Sequence, residues 1–262
     1  MDSGNIAWML MASALVLFMT PGLAFFYGGL VRGKNAINMI MYSFTAMGVV
    51  SVVWLLWGYS LAFGGDGAFI GNFDYLGFQN VDPDVGPDGG YDSMTIAIFQ
   101  MMFAIITPAL ITGAIAERFK FKTYLIFLVV WVTFVYAPIA HWVWGDGGWI
   151  LEMGAADFAG GTVVHINAGI AGLVAALMLG KRRGFPERPM LPHSMTLTVV
   201  GASMLWVGWF GFNAGSAVAV DGSAGMAMLV TQIAAGTAAI SWMMVEWLSH
   251  GKPSALGIVT GA

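Results

Sequence analysis

The sequence predicts an all-α polytopic membrane protein with seven transmembrane helices and the start of an eighth. Of its 262 residues, 58% are hydrophobic and only 9% are charged, whereas a soluble domain carries roughly 25% charged residues. The apolar residues are grouped in stretches of about the 20 residues that a helix needs to cross a bilayer. We therefore predict one transmembrane domain over 1–262, which ends inside its eighth stretch and is expected to be C-terminally incomplete.

The apolar stretches give the position of each span to within a few residues. The first stretch follows Met1 and Asp2 without the basic segment of a signal peptide, so we interpret it as a span and not as a cleaved leader. The predicted spans are about 6–31, 37–63, 93–116, 121–143, 160–180, 195–216 and 224–248, with the eighth beginning near Ser254.

The positive charges predict the orientation. All ten Lys and Arg residues lie in the loops that follow spans one, three, five and seven. They are Arg32, Lys34, Arg118, Lys120, Lys122, Lys181, Arg182, Arg183, Arg188 and Lys252. Because cytoplasmic loops carry the excess of Lys and Arg, we expect a multi-pass protein of the cytoplasmic membrane with its N-terminus outside.

The sequence lacks the signals of several function classes. The chain has no cysteine, which excludes disulfides and thiolate metal sites. It contains neither a G-x-x-x-x-G-K-[ST] phosphate loop nor an H-E-x-x-H zinc helix, and its basic residues form no nucleic-acid-binding patch. We expect no metal, no cofactor, no nucleic-acid partner and no enzymatic activity.

An ionisable side chain lies inside the fifth span. His165 shares a predicted helical face with the small residues Gly161, Ala168, Gly172 and Ala176. Membrane helices approach closely along such faces, so we expect His165 to point into the bundle and away from lipid. An ionisable group in hydrocarbon usually marks a path or a site. The alternative is a core histidine bonded to a neighbouring helix.

Asp157 precedes the fifth span by a few residues. A carboxylate at this position caps free N–H groups and opposes the helix dipole. We expect this structural role for Asp157, with attraction of a cation as a second one.

Three other side chains are predicted to lie at a similar depth in the outer half of the membrane: Phe103, Trp144 and Ser216. Each has a structural alternative, because aromatic stripes usually pack, boundary tryptophans anchor a span and Ser216 ends a helix. Together with His165 they suit a small hydrogen-bonding cation, since an aromatic face attracts a cation by roughly 0.5–2 kcal/mol.

The segments that carry these residues resemble the ammonium transporter family (Amt/Mep, related to the Rh glycoproteins). The resemblance is collinear over the whole chain, and Trp144 favours the Amt branch. The matching segments are M-T-P-G-L-A-F-F-Y-G-G-L-V-R-G-K-N at 19–35, G-A-I-A-E-R at 113–118, P-I-A-H-W-V-W-G at 138–145, D-F-A-G-G-T-V-V-H-I-N-A at 157–168 and G-W-F-G-F-N-A-G-S-A at 208–217.

The resemblance implies a fold of eleven spans, built from two five-helix inverted repeats, of which this chain holds the first repeat and part of the second. It implies a homotrimer in the lipid bilayer with one pore per subunit. The implied substrate is ammonium or ammonia, with methylammonium as an analogue, and a PII-type regulator is a possible partner on the cytoplasmic face.

Carried over by motif, the resemblance also implies roles for individual side chains. Trp144, Phe103 and Ser216 would form an outer ammonium site, and Phe103 with Phe212 would form the gate below it. His165 would be the first of two pore histidines. Asp157 would order the outer vestibule and support ammonium recruitment without touching the ion.

The second pore histidine has no counterpart in this sequence. His141, His193 and His250 lie at span ends or in loops, so none is a substitute. Two other hypotheses stay open beside transport. One is an ammonium sensor coupled to a signalling domain beyond residue 262, and the other is an intramembrane enzyme that uses Ser216 with His165.

Overall fold

The computed structural model describes residues 3–83 and 93–262, which are almost entirely helical. Seven helices are long and apolar enough to cross a membrane, and we number them as spans one to seven. The spans are Ser3–Leu30, Gly33–Phe63, Met94–Ile115, Phe121–Glu152, Gly161–Leu179, Met195–Ala214 and Gly222–His250. A short helix, Ala255–Gly261, follows. The predicted fold class is confirmed, and the observed span ends differ from the predicted ones by a few residues in most spans.

Span four ends in a second, short helical piece. It runs as a helix from Phe121 to Trp144, turns at Gly145, and adds a four-residue helix, Trp149–Glu152. Tight turns containing Gly145 and Gly147, the latter with φ of +72°, join the two parts. Glycine adopts a positive φ at no steric cost, so the chain can reverse here beside the loop that follows span two.

Four of the spans contain a π-helical segment. These segments are Trp54–Gly58 in span two, Val132–Tyr136 in span four, Gly161–Ile166 at the start of span five and Phe210–Ala214 at the end of span six. A π segment inserts a residue into the helical repeat, changes the direction of the side chains that follow it, and is common at functional sites. Two of them carry His165 and Phe212.

Span one contacts spans two, three and six. Its closest approach is to span six, where a Cβ on Gly201 would lie 2.2 Å from the backbone nitrogen of Phe26 and 2.5 Å from the carbonyl oxygen of Gly22. Small residues allow such backbone contact between membrane helices. Spans one and six are therefore fixed relative to each other along most of their length.

An ion pair joins the loops that follow spans one and three. Arg32 donates from its guanidinium and its backbone N–H to the carboxylate of Glu117, whose side chain is only 3% exposed. Burial by itself would raise the pKa of Glu117, but the hydrogen bonds and the charge of Arg32 together outweigh it and lower that pKa. The same contacts raise the pKa of Arg32. The pair therefore holds the ends of spans one and three together on one side of the bundle.

Candidate functional site

Three aromatic rings from three different spans meet inside the bundle. Phe103 of span three packs on Phe212 of span six, with ring centroids 4.4 Å apart and planes 36° apart. Trp144 of span four meets the same Phe103 ring edge to face at 6.0 Å. Phe103 and Phe212 are each 1% exposed, so the contact between them is a closed part of the helix bundle.

The indole of Trp144 is held in place by its own polar atom. Its Nε1–H donates to the backbone carbonyl of Asp157, 2.8 Å away. Buried indoles usually find such a partner, and this one ties the end of span four to the segment before span five. The ring face of Trp144 is thereby fixed beside Phe103.

Ser216 lies just after the π segment of span six. Its hydroxyl donates to the carbonyl oxygen of Phe212 at 2.8 Å. A serine hydroxyl has one donor and two acceptor positions, so the oxygen of Ser216 can still accept from a cation. Because the hydroxyl donates to Phe212 rather than to His165, the arrangement does not support the hypothesis of a Ser216–His165 nucleophile.

Asp157 caps the start of span five with both carboxylate oxygens. They accept from four successive backbone N–H groups, those of Gly160, Gly161, Thr162 and Val163, at 2.7–3.1 Å. Gly160 adopts a left-handed conformation, with φ of +94°, that turns the chain into the helix. The carboxylate of Asp157 thus caps span five, while the backbone carbonyl of the same residue accepts from the indole of Trp144.

His165 is in contact with two rings of span six. Its imidazole is nearly parallel to Trp209, with centroids 5.9 Å apart and planes 12° apart, and lies 5.8 Å from Phe212. The rest of its ring is exposed. It opens on a groove of about 720 Å³ whose walls include Ala168, Gly172 and Tyr27.

The predicted small-residue face of span five is buried over only part of its length. Ala168 and Gly172 are buried against span three, where a Cβ on Gly172 would be 3.1 Å from Ala114, but Gly161 and His165 are exposed. The predicted face is nevertheless kept through the π segment Gly161–Ile166, since His165, Ala168, Gly172 and Ala176 all line the same groove. His165 therefore lines a groove between helices and is not enclosed by them.

The structure brings together most of the side chains that the sequence singled out. Phe103, Trp144, Phe212, His165 and Ser216 form one connected group through ring contacts and the Ser216 hydrogen bond. Sequence reasoning missed the ring that stacks on His165, which is Trp209. Its spacing of three residues from Phe212 places both on one helical face, which is a signal for their joint contact with His165.

The other histidines have different partners. His141 is buried and bonds the carbonyl oxygens of Ala62 and Gly67, fixing the loop after span two. His193 bonds the carbonyl of Val31 at 3.0 Å, and His250 lies beside Ser249. His141 and His193 thus hold together segments that are distant in the sequence, and His250 lies at the end of span seven.

Several known proteins are similar to this chain in sequence and in fold. The model of the Ammonium Transporter Family matches residues 7–262. The ammonium transporter of Aquifex aeolicus (strain VF5) is 52% identical over 264 residues, which are 100% of this chain and 61% of that protein. The crystal structure of Saccharomyces cerevisiae Mep2 has a TM-score of 0.90 at 39% identity, covering 100% of this chain and 59% of that one.

A further solved structure is described as a sensor Amt protein. Its TM-score is 0.89 at 31% identity, covering 98% of this chain and 65% of that one. The chain thus spans 59–65% of the length of these three relatives. With a family match that runs from residue 7 to residue 262, this multi-pass membrane chain belongs to the ammonium transporter family.

Proposed function

We propose that this chain forms the outer entrance and first pore segment of an ammonium transporter. The observation that carries the proposal is the contact of Phe103 with both Trp144 and Phe212, next to an acceptor oxygen on Ser216. Aromatic faces and one neutral acceptor hold a small cation without a carboxylate. Because such a site binds the cation weakly, it also releases it, as conduction requires.

Ammonium is recruited from outside and rests against Trp144, with Ser216 accepting one of its N–H groups. The negative charge of Asp157 favours a cation in the vestibule from behind the indole, without contact. Passage between Phe103 and Phe212 requires these two rings to part, since they are closed against each other at 4.4 Å. The ion loses its water there, and ammonia and the proton separate before the groove below.

His165 is the first polar group below the gate. A neutral imidazole carries one donor and one acceptor nitrogen, so it can accept a hydrogen bond from ammonia or receive the released proton. Stacking on Trp209 holds the imidazole plane. The open side of the ring faces the groove that leads towards Arg182.

The membrane location, the orientation and the partners of the transporter are inferred from the charge distribution and from the family. We infer a cytoplasmic membrane location with the N-terminus outside, since all ten basic residues lie on one side of the predicted topology. We infer a homotrimer, a second pore histidine supplied outside this chain, and a PII-type regulator on the cytoplasmic face.

The test is methylammonium uptake by the protein expressed from its complete gene in cells that lack their own ammonium transporters. Trp144→Leu is expected to raise the half-saturating concentration by about 2–30-fold, the range that corresponds to one cation–π contact. His165→Ala is expected to lower the maximal rate.

Trp142→Leu and His250→Ala are the matched controls, because Trp142 bonds the outer loop carbonyl of Phe69 and His250 lies beside Ser249. If uptake is unchanged in both test variants, the site assignment is wrong.

A second candidate function is ammonium sensing, favoured by the similarity to the sensor Amt protein. In a sensor, ammonium occupies the same outer site and controls an attached signalling domain. Sequencing the gene beyond the codon for Ala262 distinguishes the two. A kinase-like or cyclase-like domain supports sensing, whereas a short tail with measurable uptake supports transport.

A further inference from the structure

A buried histidine in span four contacts two backbone carbonyls at once. Nδ1 of His141 lies 2.9 Å from the carbonyl oxygen of Ala62, in the last helical turn of span two, and Nε2 lies against that of Gly67, in the loop after it. His141 is 0% exposed, and these two oxygens are the hydrogen-bond partners of its ring among residues 3–83 and 93–262. A Cβ on Gly145 would lie 2.5 Å from Nδ1, so glycine at that position leaves room for the first contact.

The two contacts determine which protonation state fits the ring. A carbonyl oxygen only accepts hydrogen bonds, whereas a neutral imidazole has a proton on one nitrogen and a lone pair on the other. In either neutral tautomer of His141, one lone pair would therefore face a carbonyl oxygen at hydrogen-bond distance. The doubly protonated ring donates to both oxygens, so the geometry fits the imidazolium.

A charge on this ring is balanced by backbone dipoles and not by a carboxylate. Burial alone penalises a charged group, but hydrogen bonds from a charged donor are roughly twice as strong as those between neutral groups. No carboxylate forms an ion pair with His141 within the described chain. The titratable side chains on the elements around it are Tyr59 at the end of span two, Asp66 and Asp74 in the loop after it, Tyr136, Asp146 and Glu152 in span four, and Asp157 and His165 around the start of span five.

The two contacts of His141 hold the part of span four that carries Trp144, three residues later in the same helix. Another bond joins this part of the span to the same loop, since the indole of Trp142 donates to the carbonyl oxygen of Phe69. An indole is a neutral donor that keeps its proton, so this bond does not change with pH. The bonds from His141 differ from it because one of them depends on a proton that histidine can lose.

We propose that His141 is a positioning residue for the ammonium site and that it acts as a buried imidazolium. With both nitrogens protonated, the ring ties span two and the loop after it to the helix that carries Trp144, whose ring lies 6.0 Å from that of Phe103. Loss of one proton leaves one carbonyl without its donor, which loosens this end of span four and lets the indole move away from Phe103. The positioning role rests on the proposed function, whereas the protonation state does not.

Solid-state nitrogen-15 NMR of the full-length protein in lipid bilayers, labelled at histidine, measures the protonation state. Both ring nitrogens of His141 are expected to give the shifts of protonated nitrogen at about pH 7.5, where a histidine in water is mostly neutral. His141→Gln identifies the signals by their absence. If that variant does not fold, the other histidines are replaced in turn, and the signals that none of these replacements removes belong to His141. A ring with one unprotonated nitrogen at this pH overturns the proposal.

Methylammonium uptake by the full-length protein tests the positioning role. His141→Gln is expected to raise the half-saturating concentration by about 2–10-fold, a part of the effect of removing the Trp144 cation–π contact, with little change in the maximal rate. In the unsubstituted protein this concentration is expected to rise at the pH where NMR shows the second proton to leave, and in His141→Gln it is expected to stay constant across that pH. His193→Gln is the matched control, because the ring of His193 bonds one carbonyl, that of Val31, and needs one proton to do so.

Two uptake results overturn the positioning role of His141. They are an unchanged half-saturating concentration in His141→Gln and an equal rise in the test and control variants. If His141→Gln does not fold, the pH profile of the unsubstituted protein decides, and a profile without the rise overturns the role. Trp144→Leu separates this role from the proposed function. If that variant leaves uptake unchanged while NMR shows an imidazolium at His141, the assignment of the ammonium site is wrong and the protonation state stands.

Discussion

Spans three and seven are both long apolar helices, yet they differ widely in how much of each is buried within the described chain. Their most apolar windows have mean hydropathies of 2.0 and 1.5, but 78% of the window in span three is buried in the described chain and 11% of that in span seven. Span three lies between spans one, two and five, whereas span seven contacts the end of span six and the short helix Ala255–Gly261. Hydropathy therefore identifies a span without telling how much of it packs against the other spans of this chain.

The difference matters for function because the site is built in the packed region. Phe103 extends from span three to rings on spans four and six, so its position depends on how three helices pack. Side chains of span seven such as Leu229, which is 58% exposed, have no comparable set of contacts. Matched substitutions in the two regions test whether this difference in burial is also a difference in energy.

The largest effect is expected for Phe103→Ala. Removing a fully packed ring leaves a cavity beside Phe99, Trp144 and Phe212 and costs about 3–5 kcal/mol of stability. Leu229→Ala, on the exposed face of span seven, is expected to change stability by less than about 0.5 kcal/mol. Thermal unfolding followed by tryptophan fluorescence in detergent micelles measures both. Similar losses in the two variants would contradict the contrast between the spans.

The next effect concerns the two aspartates that cap helices. Asp157 accepts from four backbone N–H groups at the start of span five, whereas Asp221 accepts from one, that of Ala224, at the start of span seven. Hydrogen bonds to a charged carboxylate contribute more to stability than neutral ones. Because Asp157 accepts four of them and Asp221 accepts one, Asp157→Ala is expected to cost about 3 kcal/mol and Asp221→Ala about 1 kcal/mol.

Amide hydrogen exchange at Thr162 and Val163 checks the mechanism of the Asp157 effect. These two amides are expected to lose protection in Asp157→Ala and to keep it in Asp221→Ala. Unchanged protection in both variants would show that the carboxylate is not what holds the start of span five.

A smaller effect is expected at the glycines of the helix contacts. Gly201→Ala places a Cβ 2.2 Å from the backbone of span one, so spans one and six must separate, at a cost of about 2 kcal/mol. Gly236→Ala in span seven meets no atom within 4 Å and is expected to gain up to about 1 kcal/mol from helix propensity. The sign of the change in unfolding temperature decides this prediction, and a stabilised Gly201→Ala would refute it.

The sequence was sufficient to predict the features that follow from composition and from the spacing of apolar residues along the chain. Hydropathy located the seven spans, and the motifs pointed to Phe103, Trp144, Phe212 and Ser216, which do lie together. It was insufficient for the exposure of His165, because the spacing of small residues does not tell which part of a helical face a neighbouring span covers. The contact of Trp209 with His165 was missed because it joins spans five and six across the bundle, although the spacing of Trp209 and Phe212 indicates a shared helical face.

The smallest effect is expected for the Arg32–Glu117 pair, which stabilises the packed region at its charged end. Because the pKa of Glu117 is lowered in the folded protein, its contribution is fully present above the unfolded pKa of about 4.3 and is lost as the pH falls through the folded value. Glu117→Gln is therefore expected to unfold at a lower temperature than the unsubstituted protein at pH 7, and the gap is expected to close as the pH falls below about 4. Glu187→Gln, in an exposed loop, is the control and is expected to show no such gap. A gap for Glu117→Gln that persists undiminished at low pH would mean that packing of the side chain, and not its charge, joins the two loops.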